Sequence, residues 1–186
     1  MTLIAQNTNA DVTIQFERSG QINARENLLD CVMGQVRFRR ASQRIRENRV
    51  PALSLVAADS SGAVIGTVRL WHIKADGLSD ALMLGPLAVD PAFQGLGIGG
   101  ALMKAAIQHA AKAAFGAIIL VGDPDYYARL GFKAAPAANL AMPGPFERHR
   151  LLALELQAGA LSNAKGLIEP SGLKTAAPKA RRKIAA

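Results

Sequence analysis

The N-terminal part of the chain shows two periodicities in its apolar residues. Val12, Ile14 and Phe16 alternate with polar residues, which predicts a first β-strand. The following segment, INARENLLDCVMG, has the spacing of a helix that buries Ile22, Leu29, Val32 and Met33. The next segment, RFRRASQRIRENR, carries six arginines between Arg37 and Arg49 and predicts a second, short helix. Its charged side is either solvated or a surface for an anionic substrate.

The middle of the chain is predicted to form strands. LSLVAADSSGAVIGTVRLWHI contains two apolar runs joined by the turn residues Asp59 to Gly62, which is typical of a hairpin. A further strand, ALMLGPLAV, is interrupted by Gly85-Pro86. Because proline cannot donate to a sheet ladder and glycine permits a bulge, one edge of this strand should be unpaired there. Such an edge would offer a slot for an amide-containing ligand.

The second half of the chain alternates helices and strands. A helix is predicted from Gly97 to Ala114, with a polar stripe of Lys104, Gln108 and Lys112, and His109 is expected to be a partly buried structural residue. AIILVGD predicts a buried strand, and RLLALEL predicts a closing strand. Between them lies a short helix, for which we expect the N-cap Asp123, the first helical residue Pro124 and the C-terminal stop Gly131.

Composition narrows the class of protein. The chain has 186 residues, of which 50% are apolar, and this is enough for one sizeable core. The single Cys31, the lack of a signal-peptide pattern and the absence of a long apolar run predict a soluble cytoplasmic protein without membrane contact. Cys31 itself is expected to be an ordinary small side chain.

The net charge of +8 is concentrated at the C-terminus. After Ser162, six basic residues face one acidic residue, and the segment is poor in large apolar residues. We therefore predict a domain over residues 1–162 and a basic, disordered tail over residues 163–186. The tail is expected to be solvated, and nucleic acid binding is a less favoured alternative.

A glycine cluster precedes the long helix, in the sequence VDPAFQGLGIGGAL. Glycine at the first turn of a helix lets bare backbone approach a ligand, and the helix N-terminus attracts phosphate. A P-loop is excluded because no Gly-Lys-Ser/Thr follows. Gly95, Gly97 and Gly100 satisfy the dinucleotide pattern G-x-G-x-x-G, with Asp123 as an acid at the end of the next strand. However, three or four predicted strands precede the loop, which a dinucleotide domain does not have.

Two motifs resemble those of the GNAT superfamily of acetyl-CoA-dependent N-acetyltransferases, in particular its bacterial group of predicted acetyltransferases. The segment from Gln94 to Gly99 matches the signature Q/R-x-x-G-x-G/A, and the segment from Tyr127 to Phe132 matches the Tyr-x-x-x-Gly-Phe element. The order of predicted elements agrees from about residue 10 to residue 157. The resemblance implies an α/β fold with a mixed, mostly antiparallel sheet, splayed between its fourth and fifth strands, and with helices on both faces.

The resemblance also implies roles for individual residues, with acetyl-CoA as cosubstrate and no metal. The backbone of Leu87, Ala88 and Val89 would bind the pantetheine amides, and a backbone N–H near Ala88 or Val89 would meet the oxyanion. Tyr127 would be the general acid, or alternatively a phenol packed under the coenzyme, and Tyr126 is assigned to packing. The pyrophosphate would be held by backbone amides of Gln94, Gly95, Leu96, Gly97, Ile98, Gly99 and Gly100.

The base and the acceptor stay open at this level. Residues 81–89 hold no carboxylate, although some family members use a glutamate on this strand, and the candidates by residue type are His72, Asp80, Glu147 and His149. The acceptor is an unknown primary amine attacked in a ternary complex, and the arginine segment would suit an anionic one. A non-catalytic acyl-CoA sensor, an acetyltransferase acting on aminoacyl-tRNA and a homodimer are alternatives that the sequence does not decide.

Overall fold

The computed structural model describes residues 12–175 and arranges them around one β-sheet. Its strands are β1 (Thr13–Phe16), β2 (Leu53–Ala58), β3 (Val64–Asp76), β4 (Leu78–Val89), β5 (Ala117–Val121), β6 (Leu140–Ala141), β7 (Leu151–Glu155) and β8 (Lys165–Pro170). The α-helices are α1 (Ile22–Met33), α2 (Gln43–Arg46), α3 (Ile98–Lys112) and α4 (Pro124–Ala128). Short 3-10 turns join several of these elements.

The sheet is mixed and mostly antiparallel, as the family resemblance implied. Strands β1, β2, β3, β4, β5 and β7 lie side by side in that order, and β4 and β5 are the parallel pair among them. Off this path, β8 pairs antiparallel with β3 and parallel with the two-residue strand β6. The hairpin of β2 and β3 forms at the predicted turn, where Asp59 accepts the amides of Ser61 and Ala63.

The sheet opens between β4 and β5. These strands pair only where Ala81 to Met83 lie beside Ala117 to Ile119. Beyond that point β4 stays with β3, and β5 stays with β7. Gly85-Pro86 begins two residues after Met83, the last paired residue of β4. The register of β4 against β3 also shifts there, between Val68 and Leu70 of β3. The predicted splay is therefore confirmed, and it lies beside the residues that signalled it.

Helices cover both faces of the sheet. Successive side chains of β3 and β4 point to opposite faces, so each strand packs against helices on both sides. Leu70 and Leu82 face one way and pack with Leu102 of α3, whereas Trp71 and Met83 face the other way and pack in the cluster that contains α2. None of the helices described between residues 12 and 175 is long and apolar enough to cross a membrane.

The buried face of α1 differs from the prediction. Arg25, Leu28 and Leu29 are buried, whereas Ile22 is 44% exposed. Arg25 can lie inside because its guanidinium pairs with Glu17 (2.5 Å) and with Glu26. Apolar periodicity cannot detect this arrangement, because the acidic partners that offset the cost of burying Arg25 do not contribute to an apolar pattern.

The C-terminal prediction was wrong for residues 163–175, which are ordered. Ile168 of β8 is fully buried, and β8 extends the same sheet as the domain that was expected to end at residue 162. The start of this segment also packs closely against the turn between β3 and β4, because a methyl group on Gly77 would lie 2.2 Å from the carbonyl oxygen of Asn163. The sequence signal is weak because Ile168 is the one buried residue of β8. Residues 176–186, with the basic run at Arg181 to Lys183, lie outside the described residues.

Candidate functional site

The glycine cluster forms a loop between β4 and α3. Asp90 starts it by accepting the amide of Ala92 with its Oδ1 (2.9 Å), and a 3-10 turn follows over Pro91–Phe93. Gly95 and Gly97 have φ values of 81° and 77°, which favour glycine. Gly97 is the N-cap of α3 and offers no side chain to its amides. The first amides of α3 therefore lack an intrahelical partner and carry the positive end of the helix dipole.

A cavity of about 540 Å³ lies against this loop, and we call it the loop cavity. Methyl groups on Gly95, Gly97 or Gly100 would meet nothing within 4 Å. Its charged lining residues are Lys104, one turn further along α3, and Arg129. An open concave surface with helix amides and two cations is suited to a polyanion such as a diphosphate.

The residues predicted to hold a cofactor fall into three groups. Leu96 is 41% exposed and Ala88 is buried, and neither lines a described cavity. Leu87 lines a second cavity, described below. The loop cavity is lined by the remaining predicted residues, Val89, Gln94, Gly95, Gly97, Ile98, Gly99 and Gly100.

The second cavity, of about 290 Å³, occupies the opening between β4 and β5, and we call it the gap cavity. One wall runs from Leu84 to Leu87 and the opposite wall from Leu120 to Asp123. The indole Nε1 of Trp71 donates to the carbonyl oxygen of Gly85 (2.6 Å), which anchors the first wall.

Free backbone groups of β4 face the opening. Asp90 donates its amide to the carbonyl of Ile65, on the β3 side (2.8 Å). Because successive amides of a strand point to opposite sides, the amides of Leu87 and Val89 face away from β3, while the amide of Ala88 faces β3. The pairing of β4 with β5 ends at Met83, so these two amides face the opening without a paired strand beside them in the described part of the chain. They are available to an extended ligand.

The two adjacent tyrosines of α4 stand at different places. Tyr126 lines both cavities, and a methyl group on Gly99 would lie 3.1 Å from its hydroxyl oxygen. Tyr127 lines the gap cavity alone, with its ring edge-on to Tyr126 (4.9 Å between centroids) and to Phe132 (5.8 Å). The predicted cap is present, since Oδ1 of Asp123 accepts the amides of Asp125 and Tyr126.

Burial raises the pKa of Tyr127 to about 12, and the nearby Tyr126 and Asp123 act in the same direction while Arg150 opposes them. The phenol is therefore neutral, and a proton donor, at physiological pH. Gly122 makes its position possible, because a methyl group there would lie 2.1 Å from Cε2 of the Tyr127 ring.

None of the four base candidates lines either cavity. His72 lies against the ring of Phe115 (5.4 Å between centroids), and Asp80 is exposed. Glu147 and His149 are exposed, with 3.6 Å between Oε2 of Glu147 and Nε2 of His149. Among the described residues that line the two cavities, Asp123 is the one carboxylate, and its Oδ1 already caps α4.

His109 and Cys31 are separate from both cavities. The ring of His109 packs edge-on against Phe16, with 4.9 Å between centroids. Cys31 is exposed on α1.

The arginine segment reaches the gap cavity, which sequence reasoning left as one of two alternatives. Arg37, Arg40 and Arg46 line it, together with Arg150 from the start of the β7 region. Sequence reasoning missed Arg150, Arg129 and the lining role of Tyr126. Lys104 could have been found, because it lies four residues after Gly100 and hence on the same side of α3.

Comparisons of the sequence with known proteins identify its relatives. Residues 51–134 match the model of the acetyltransferase (GNAT) domain. The uncharacterized N-acetyltransferase YhbS of Escherichia coli K12 is 32% identical over 127 residues, covering 67% of this chain and 75% of that protein.

Two solved structures are also similar. The crystal structure of E. coli YhbS in complex with CoA has a TM-score of 0.77 and 25% identity, covering 90% of this chain and 94% of that chain. A GNAT family acetyltransferase from Brucella melitensis in complex with acetyl-CoA has a TM-score of 0.56 and 27% identity, covering 78% and 97%.

Proposed function

Since the chain belongs to the GNAT acetyltransferase family, we propose that it transfers the acetyl group of acetyl-CoA to a primary amine while both are bound. The observation that supports this proposal is the meeting of two cavities at Tyr126. The loop cavity suits the coenzyme, and the gap cavity leads from the opened sheet to the arginine segment.

In this proposal the backbone does most of the coenzyme binding. Amides from Gly95 to Gly100 hold the diphosphate, with Lys104 and Arg129 adding positive charge. The outward amide of Val89, which lies nearer the glycine loop, binds the pantetheine arm along β4. Ala88 makes no such bond, because its amide faces β3.

Acetyl-CoA supplies a thioester carbonyl, which an amine can attack. A carbon–nitrogen bond then forms, the carbon–sulfur bond breaks, and the amine gives one proton to water. Tyr127 donates a hydrogen bond to the departing sulfur from the gap cavity. The outward amide of Leu87, which lines the gap cavity together with Tyr127, is the donor we assign to the carbonyl oxygen.

The test is a thiol-release assay with acetyl-CoA across a panel of primary amines, run beside thermal unfolding with CoA and with NAD. We expect thiol release with at least one amine, and stabilisation by CoA but not by NAD, because a ligand that binds only the native state raises its stability. Stabilisation by CoA without thiol release from any amine would instead indicate a coenzyme sensor. Equal stabilisation by NAD would contradict the assignment of the loop.

Gly100→Asp tests the loop itself, with Gly100→Asn as the matched neutral control. Gly100 has no left-handed φ and open space at its Cβ, so both side chains fit. An acid in the first turn of a helix favours the helix, whereas it repels a bound phosphate by about 3 kcal/mol at roughly 6 Å and an effective dielectric of about 20. We expect Gly100→Asp to keep its melting temperature and to lose CoA affinity by about 100-fold relative to Gly100→Asn. Equal affinities would place the diphosphate elsewhere.

A further inference from the structure

The charges around the gap cavity are strongly one-sided. Four arginines line it, namely Arg37, Arg40, Arg46 and Arg150, against the single carboxylate of Asp123. Three of these arginines come from the 3-10 turn at Gln35–Arg39, its C-terminal neighbour and α2, so they lie on one side of the opening. The opposite side carries Tyr127 and the β5 wall.

Nearby acidic groups already have partners. Arg37 binds Glu26 (2.5 Å) and Asp30 (2.8 Å) through its guanidinium. Although burial acts to lower it, these two hydrogen bonds raise the pKa of Arg37 on balance. Glu17 and Glu26 also pair with Arg25. The acids of α1 and of its approach are thus committed to Arg25 and Arg37.

Arg46 differs from Arg37, because it has no acidic partner among the described residues. Its Nε is buried and has no hydrogen-bond partner among residues 12–175. None of the salt bridges formed within those residues includes Arg46. The pKa of Arg46 is lowered to about 10, mainly by burial, with charge repulsion from the neighbouring arginines acting in the same direction and the charge of Glu26 opposing them. A buried cation without a partner is costly, and an anion beside it would remove that cost.

Arg69 provides an internal comparison. Its Nε is also buried and unpartnered in the described part of the chain, and burial lowers its pKa to about 10. However, its guanidinium stacks on the ring of Trp71 (4.5 Å to the centroid), and it does not line the gap cavity. Arg46 therefore combines a guanidinium that has no partner among the described residues with access to the cavity.

We infer that the acceptor is a small primary amine that carries an anionic group, a carboxylate or a phosphate, which binds Arg46 with help from Arg40. This inference rests on the proposed function. The planar guanidinium matches the two oxygens of either anion. The cavity volume of about 290 Å³ fits a metabolite-sized molecule and not a folded protein segment. The amine end of the molecule then lies toward Leu87 and Tyr127, where the thioester is expected.

Matched probes test the anion requirement. Thiol release from acetyl-CoA is measured with the L-amino acids, 4-aminobutyrate and O-phosphoethanolamine, and with their neutral counterparts, the amino acid amides, butylamine and ethanolamine. Values of kcat/KM are expressed per neutral amine, which removes differences in amine pKa. We expect the best substrate to be an anionic amine whose kcat/KM exceeds that of its neutral counterpart at least tenfold. Comparison of the carboxylate probes with the phosphate probe then identifies the preferred anion.

Variants then assign the effect to Arg46. Arg46→Met keeps a long apolar stem without charge, and Arg44→Met on the same helix removes an exposed arginine that does not line the cavity. We expect Arg46→Met to raise the KM of the best anionic amine about 10- to 100-fold, the range for losing a charged hydrogen bond. The kcat/KM of neutral amines and the affinity for CoA should stay unchanged, and Arg44→Met should behave as the unmodified protein does. If Arg46→Met fails to fold, Arg40→Met replaces it, because Arg40 is exposed and also lines the gap cavity. We expect Arg40→Met to raise the KM of the anionic amine by a smaller factor.

The outcomes separate the two proposals. Thiol release that is fastest with neutral amines, polyamines or peptide N-termini, and that Arg46→Met and Arg40→Met leave unchanged, overturns the anionic acceptor and keeps the acetyltransferase. CoA binding without thiol release from any amine overturns the proposed transfer itself, and the inference with it.

Discussion

Tyr127→Phe removes one hydroxyl from the gap cavity and little volume. The phenol has a pKa of about 12, whereas an ordinary thiol has a pKa of roughly 8.5, a difference of about 3.5 units. At 1.36 kcal/mol per unit, complete proton transfer from Tyr127 to a thiolate is uphill by about 5 kcal/mol. We therefore expect Tyr127 to stabilise the departing sulfur by a hydrogen bond. A hydrogen bond to a charged group contributes about 1.5–3 kcal/mol, so its loss should lower kcat about 10- to 100-fold.

The assay is kcat at saturating acetyl-CoA, with the acceptor found by the thiol-release screen, together with CoA affinity. Tyr126→Phe is the matched control, because it removes the neighbouring hydroxyl, which faces Gly99. Tyr127→Phe should keep CoA affinity and lose kcat, while Tyr126→Phe should keep kcat.

The pH profile provides a second check on the same residue. Burial raises the pKa of Tyr127, so its neutral, donating form persists as pH rises to about 11, and no alkaline loss of rate below that pH should come from this group. An unchanged kcat in Tyr127→Phe would refute the reasoning. An alkaline limb near pH 9 that disappears in this variant would also refute it.

Two further predictions concern packing. Ile168→Ala removes three buried carbons at about 0.8 kcal/mol each and leaves a cavity, so we expect a loss of about 2–5 kcal/mol in the free energy of unfolding, measured by denaturant titration. Leu167→Ala, at a half-exposed neighbour on β8, should change it by less than about 0.5 kcal/mol, and equal effects would show that β8 does not dock. Gly122→Ala should cost about 1–3 kcal/mol by forcing the Tyr127 ring aside, and markedly less in a Tyr127→Ala background. Additive costs in that double-mutant cycle would contradict the contact.

The sequence by itself determined the features whose cause lies within a few residues. Asp123 and Pro124 begin α4 because a side-chain cap and a fixed φ act locally. Gly97 begins α3 in a left-handed conformation for the same kind of reason. The Gly85-Pro86 break also predicted where β4 and β5 separate, because glycine and proline interrupt the hydrogen bonding of the strand that contains them. With two motifs in addition, the family could be predicted correctly, whereas the role of the glycine loop in coenzyme binding stays a prediction.

Only the tertiary structure decided the features that depend on distant partners. Ile168 is one buried residue in a polar segment, and it becomes part of the core because β8 pairs with β3 and with β6. Arg25, Arg37 and Arg46 belong to similar charged sequences. Arg25 and Arg37 are paired with acids, whereas Arg46 faces a cavity and has no acidic partner within residues 12–175. Burial and pairing of a charge are set by residues brought together from different elements, and no local pattern records them.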